Sequence, residues 1–473
     1  MFSVFYCQKD VKLYLFNQEQ ITFQVLFILG VVFFLVFNQF HVIFTFLNGF
    51  YTVDFLTSFV KIFILVFSFF CFFIGLGYLK SEKINVFEYF VLLLFVVLSL
   101  LLLVSSNDLI SFYITIELQS LSLYILAAYD RDSEFAVEAG LKYFILGSLS
   151  SAFLLFGISI IYGFCGTTNF EELARLLLLF DFQNISVSYL LILGIFFIAF
   201  SFLFKITAAP FHVWAPDVYE GSLTSLTAYF SVVPKIGVLS VFFKLFFYSF
   251  FDFSLWWQNL FLICSFLSLF LGAFYAYSQI KIKRLLAYSS INNVGFILFG
   301  LLSASFLGID SFFLYIIIYM FTLLAIFSFL LSYKIKVNRF VIISLKYISD
   351  FSNISKLNLV LGFFLFIVFF SLIGIPPLAG FWGKFFILFT LCKSFFYFLA
   401  VFAMFISVFS SFYYLRILKN IFFQRTDVLI YYFFISRVNI IFLSYFILFL
   451  ILFVFYFNFS LLVLNNLSLL FSL

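Results

Sequence analysis

The chain has 473 residues, is 66% hydrophobic and 10% charged, and carries a formal net charge of +5; 88 of its residues are phenylalanine. Soluble domains are about 45–50% apolar and about 25% charged, so an ordinary water-soluble protein is excluded. A disordered chain, poor in aromatics and rich in charge, is excluded with it, and so small a positive balance gives no argument for nucleic acid.

The first twenty residues are mixed in character and no small-residue cleavage pattern follows the run from Ile21, so no cleavable leader is expected. A membrane-spanning helix takes about 20 mainly apolar residues, set by a hydrocarbon core about 30 Å thick and a rise of 1.5 Å per residue. Runs of that kind fall at 21–37, 55–79, 86–104, 106–129, 135–163, 188–209, 222–250, 256–279, 285–303, 309–333, 356–392, 395–418 and 440–463. These thirteen runs make an all-α polytopic membrane protein. The run 356–392 is long and holds Pro376 and Pro377, so it reads as one interrupted helix.

Numbering the sides alternately, with the N-terminus on side A, puts seventeen loop lysines and arginines on side A and only Arg175 and Lys393 on side B. A miscounted helix would have mixed the two sets. The positive-inside rule then places side A in the cytoplasm or its organellar equivalent, the matrix.

Six basic residues are left inside the spans, all lysines: Lys61, Lys142, Lys205, Lys235, Lys244 and Lys384; of the acids, Glu117 sits near the middle of one. An ammonium at mid-bilayer costs about 2.5–3.5 kcal/mol even on the lenient insertion scale, so each needs a reason. Arginine stays charged under any accessible condition, whereas a buried lysine can release a proton near neutrality, which suits a proton path. Lys61 and Lys244 lie within about two turns of a span end and are expected to snorkel to the interface. Lys142 reads either way. Glu117, Lys235 and Lys384 call for function.

All five prolines lie close in sequence to three of these lysines. Pro210 follows Lys205, Pro234 adjoins Lys235, and Pro376 and Pro377 precede Lys384, with Pro216 just beyond the first pair. Helix breaks are therefore expected at Pro210, Pro234, Pro376 and Pro377. Discontinuous helices beside intramembrane charge mark ion-transporting folds, since freed carbonyls are tolerated only where they face protein or water. The five cysteines lie far apart without CxxC spacing and there are two histidines, so no disulfide, haem, zinc or iron–sulfur site is expected.

The segment from Phe204 through Lys205, Pro210, His212 and Pro216 to Asp217-Val218-Tyr219-Glu220-Gly221 resembles the signature of the subunit 2 family of NADH–ubiquinone oxidoreductase, one of the antiporter-like membrane subunits of respiratory complex I. Ile116 to Tyr124, Leu141 to Gly147, Pro234 to Gly237, Lys283 to Ile291 and Gly374 to Lys384 are similar to further family segments, in order, over about residues 48 to 420. The resemblance implies two inverted five-helix repeats, 86–250 and 251–418, each a proton half-channel with one broken helix, flanked by an N-terminal part, 1–85, and a last loop and helix, 419–473. It implies that Glu117 pairs with Lys205 and modulates its proton affinity, that Lys142 lies between them as a supporting relay group, that Lys235 on an interrupted helix connects the half-channels, and that Lys384 delivers the proton toward the opposite side.

It further implies a subunit of an H+-translocating NADH:ubiquinone reductase with no redox site or bound cofactor of its own. NADH, FMN, iron–sulfur clusters and ubiquinone would belong to partner subunits. The partners would be other membrane-arm subunits, including a neighbouring antiporter-like one, and lipid. The location would be the mitochondrial inner membrane, with the N-terminus in the matrix. The family commonly has fourteen helices with the glutamate on the fifth, whereas Glu117 falls on the fourth here, and Asn293 stands where bacterial members carry histidine. The alternatives are a subunit of a multisubunit cation/proton antiporter and a degenerate, non-pumping scaffold; the intact lysine set counts against the scaffold.

Overall fold

The computed structural model describes residues 11–40, 42–82, 87–179, 185–336, 342–352, 354–424, 431–434 and 437–469. Of the residues used above, Lys9, Lys83, Arg339, Arg425, His41 and Cys7 lie outside these ranges. Long apolar stretches can satisfy their backbone in lipid only as helices, and helices dominate. Helices α1 (Val11–Asn38), α2 (Phe55–Glu82), α3 (Phe87–Ser105), α4 (Leu109–Ala127) and α5 (Glu134–Cys165) come first, with a hairpin of strands β1 (Phe44–Phe46) and β2 (Tyr51–Val53) between α1 and α2. A short α6 (Phe170–Leu179) precedes α7 (Ile185–Lys205), the eight-residue α8 (Trp214–Gly221) and α9 (Thr224–Lys244), which widens into a π turn, Leu245–Ser249.

The second half runs α10 (Ser254–Ser278), α11 (Ile282–Leu302), α12 (Phe306–Ser332), α13 (Leu359–Ile373), α14 (Ala379–Lys393), α15 (Tyr397–Phe422) and α16 (Arg437–Leu469). Strands β3 (Tyr333–Lys336), β4 (Ile342–Ser344) and β5 (Tyr431–Phe434) form a small antiparallel sheet on side A, order β4-β3-β5, a detail the all-α reading lacked.

Among the described residues eleven helices are long and apolar enough to cross a membrane. Two shorter apolar helices, Tyr189–Lys205 and Leu359–Ile373, each end at a break and resume as α8 and α14. Crossings α3, α4, α5, α7–α8 and α9 form one run of five, and α10, α11, α12, α13–α14 and α15 a second. The broken crossing is fourth in each. Five is odd, so the second run starts from the opposite side and the two are inverted.

Contacts between loops respect the two sides. On side A, Lys334 pairs with Glu82 at 2.5 Å, and Arg416 donates to the Tyr277 carbonyl at 3.1 Å. On side B, Leu109 N–H donates to Thr168 O at 2.9 Å, and Asp108 caps α4 through the Ile110 N–H at 2.8 Å.

Burial ranks the helices. In an 18-residue stretch of each of Thr224–Ser249, Ile282–Leu302 and Phe306–Ser332, 94% of residues are buried, against 17% within Gln20–Asn38. Side chains on these three central helices face protein rather than lipid, which is where polar residues can sit at membrane depth. Pro234 does not break its helix, contrary to expectation: α9 is continuous from Thr224 to Lys244 with every residue buried. Proline removes the bond to the carbonyl four residues back, here Phe230, but packing on all sides keeps the helix intact.

Candidate functional site

The first break positions Lys205. Helix α7 ends at that residue and the chain passes through 206–213, including Pro210, before α8 starts. The Trp214 indole donates to the Phe204 carbonyl at 3.1 Å and so holds the freed helix end. The Lys205 ammonium is buried and has no hydrogen-bond partner in the protein. On α9, Lys235 is 2% exposed and its ammonium is likewise unpaired.

Both lysines line one internal cavity of about 30 Å³, walled also by Gln119, Ser120, Tyr124, Tyr143, Trp214 and Tyr219. A water needs roughly 10–15 Å³ of such space, so there is room for about two. A buried ammonium cannot be left against apolar walls, so internal water is the physical solution, and it would join the two amines.

Glu117 lies mid-helix on α4. Its Oε1 is buried without a partner, and Oε2 accepts the Ser120 hydroxyl at 3.4 Å. It is near enough for its charge to act on Lys205, yet the two side chains are not in direct contact.

At the second break Gly374 takes a left-handed φ of 90°, open to glycine without strain, and ends α13. The carbonyls freed there hold Lys384, whose ammonium donates to Leu372 O at 2.7 Å and Ile373 O at 3.0 Å and lies 5.3 Å from the centre of the Phe296 ring. The negative end of a half-helix thus meets a cation, as in transporter ion sites. Next to it, Gly383 lets α14 approach Tyr315: a Cβ there would fall 2.6 Å from the ring. The Tyr315 hydroxyl donates to Asn293 Oδ1 at 3.0 Å, and the buried hydroxyls of Tyr319 and Tyr414, close enough to act on it electrostatically, make no hydrogen bond in the protein. This hydroxyl cluster had no signal in the sequence, since tyrosine is common throughout the chain.

Lys142 is not between Glu117 and Lys205. Its ammonium bridges Glu138 at 2.7 Å and Asp217 at 2.8 Å on side A, with the side chain 43% exposed. Asp217 also takes Arg284 at 2.8 Å, and Glu220 takes Arg284 and Lys281, so the network ties α5, α8 and α11 together. Position along a helix could not tell which way this lysine turns. Lys244 departs from expectation too: it is 8% exposed and turned inward, donating to Thr52 Oγ1 at 3.0 Å and Ser106 O at 3.1 Å. Among the described residues no group of three or more His, Cys, Asp or Glu is arranged to hold a metal ion.

Residues 106–410 match the family described as "NADH:quinone oxidoreductase/Mrp antiporter, TM". The chain is 47% identical over 377 residues to NADH-ubiquinone oxidoreductase chain 2 of Marchantia polymorpha, covering 79% of this chain and 74% of that protein. It is 43% identical over 378 residues to NADH-quinone oxidoreductase subunit N of Paramagnetospirillum magneticum, covering 80% and 77%. Among solved structures, a chain of respiratory complex I from Thermus thermophilus superposes with a TM-score of 0.77 at 23% identity, covering 94% of this chain and 93% of that one. A chain of the Mrp complex from Dietzia sp. superposes with a TM-score of 0.74 at 19% identity, covering 87% and 77%. At such identities the structural likeness speaks for the fold.

Proposed function

The chain belongs to the NADH:quinone oxidoreductase/Mrp antiporter family of membrane proteins, and on that footing we propose that it moves protons through buried lysines, driven by redox chemistry in other subunits. It is a multi-pass membrane-arm subunit of the complex I type, and its partners are other subunits of that complex. The observation that carries the proton reading is the shared cavity: two buried ammonium groups, on a broken helix and on a central one, both unpaired and facing space for water.

In this reading Glu117 sets the proton affinity of Lys205 through space, Lys205 exchanges a proton with Lys235 through the cavity, and Lys384 takes it on in the second repeat. The repeats are 86–250 and 251–418. Lys142 serves as an ionic tie on side A rather than as a relay. NADH, FMN, iron–sulfur clusters and ubiquinone act in partner subunits, and a second antiporter-like subunit lies alongside. The membrane is the mitochondrial inner membrane, a location that likeness to NADH-ubiquinone oxidoreductase chain 2 of Marchantia polymorpha supports, and the asymmetry of loop charge favours side A and the N-terminus in the matrix. Moving one charge across costs about 2.3 kcal/mol per 100 mV, which the redox subunits must supply at each step.

The test is Lys205→Ala and Glu117→Ala in the assembled complex. Both should lower protons moved per NADH while leaving assembly largely intact. Normal pumping by assembled complex carrying either change would remove the mechanism.

A further inference from the structure

Resting on that proton-translocation reading, we propose that the hydroxyls of Tyr319 and Tyr315 carry the proton from the Lys205–Lys235 cavity to Lys384, with Asn293 holding the relay at rest. Helix α12 packs against both α9, which carries Lys235, and α14, which carries Lys384. Tyr315 and Tyr319 stand one turn apart on α12, their rings nearly parallel with centres 6.4 Å apart, so both lie on one face. Tyr319 is within electrostatic reach of Tyr219, which lines the cavity shared by Lys205 and Lys235. Tyr315 donates to Asn293 and packs on Gly383, the residue before Lys384.

The line is polar where apolar packing would be the rule. The hydroxyls of Tyr219 and Tyr319 and the amide nitrogen of Asn293 are buried without a hydrogen-bond partner in the protein. Buried polar groups are nearly always satisfied, so bridging water belongs beside them. A phenol hydroxyl donates and accepts at once, which is what a relay needs. Lys384 is arranged to receive: the Leu372 and Ile373 carbonyls hold two of its N–H bonds. The remaining position on the nitrogen is an N–H in the ammonium and a lone pair in the amine. The Phe296 ring lies 5.3 Å from that nitrogen, and its centre is 6.1 Å from that of Tyr315, so lysine and tyrosine flank one ring.

The steps balance without any co-reactant. An N–H bond of the Lys235 ammonium breaks as an O–H bond forms on water or hydroxyl in the cavity. Each hydroxyl then takes a proton from behind and gives its own ahead, and an N–H bond forms on the neutral Lys384 amine. An amide accepts a hydrogen bond but does not pass protons near neutrality. Asn293 Oδ1 therefore holds the Tyr315 hydroxyl between passages, and the relay opens when that hydroxyl turns toward Lys384.

The test is Tyr315→Phe and Tyr319→Phe in the assembled complex reconstituted into proteoliposomes, with Tyr229→Phe beside them. Phenylalanine keeps the ring and removes the hydroxyl. Tyr229 on α9 also buries an unpaired hydroxyl, but its ring stacks on Phe72 of α2. Electron transfer with uncoupler should be retained in all three. Protons moved per NADH should fall as far as with Lys205→Ala in the first two and stay at the parental value in the third. Normal pumping by either of the first two beside impaired pumping by Lys205→Ala would overturn the relay and leave the proposed function standing. An equal fall with Tyr229→Phe would overturn it too, as a general effect of losing a buried hydroxyl. Normal pumping by all, Lys205→Ala included, would overturn both. If Tyr315→Phe does not assemble, Tyr319→Phe decides by the same outcomes, since its hydroxyl leaves no protein partner stranded.

Discussion

Lys235 and Lys384 are both buried, but their surroundings differ in a way stability can report. Lys235 has no hydrogen-bond partner, whereas Lys384 satisfies two carbonyls freed by the second break. Replacing a buried charge that has no partner by an apolar side chain of similar volume removes its desolvation cost and leaves no group stranded. Lys235→Met should therefore leave the thermal inactivation temperature of the complex unchanged or raise it, while lowering proton translocation. Lys384→Met strands two buried carbonyls at about 1–3 kcal/mol each, so the same measurement should show a clear loss. These lysines and Glu117 were legible in the sequence because a charge stands out in a span that is otherwise apolar. Tyr315, Tyr319 and Tyr414 were not, and neither were the directions taken by Lys142 and Lys244, which depend on neighbours distant in sequence.

Among the elements, the chain breaks after Lys205 and before Lys384 at Pro210 and at Pro376 and Pro377, while Pro234 sits in a helix that burial holds together. The pattern of residue types could not separate these cases; the packing does. Helix α6 carried a readable signal, Phe170, Leu173 and Leu177 at helical spacing with Glu171 and Glu172 in the first turn, but it is too short to register among spanning runs. Close approach of α4 and α5 depends on Gly147, where a Cβ would stand 2.0 Å from the Tyr124 hydroxyl. Gly147→Ala should destabilise the subunit by about 1–3 kcal/mol, read as earlier thermal loss of the assembled complex. The ionic tie through Arg284 is partly exposed, so Arg284→Ala should cost about 1 kcal/mol or less, and the difference from the parent should shrink at high salt.

For the whole molecule, the seventeen-to-two asymmetry of loop charge and the inversion of the two five-crossing runs are independent signs of the same topology. Cleavage by protease in the side-A segment 333–358 should occur only from the face that the proposed orientation assigns to the matrix, and cleavage only from the opposite face would reverse the orientation. The central claim is that the lysines sharing one cavity carry protons, and proton stoichiometry in reconstituted complex tests it most directly. With Lys235→Met, assembled complex should oxidise NADH in the presence of uncoupler and move fewer protons per NADH than the parent. An unchanged stoichiometry in fully assembled Lys235→Met complex would contradict the account.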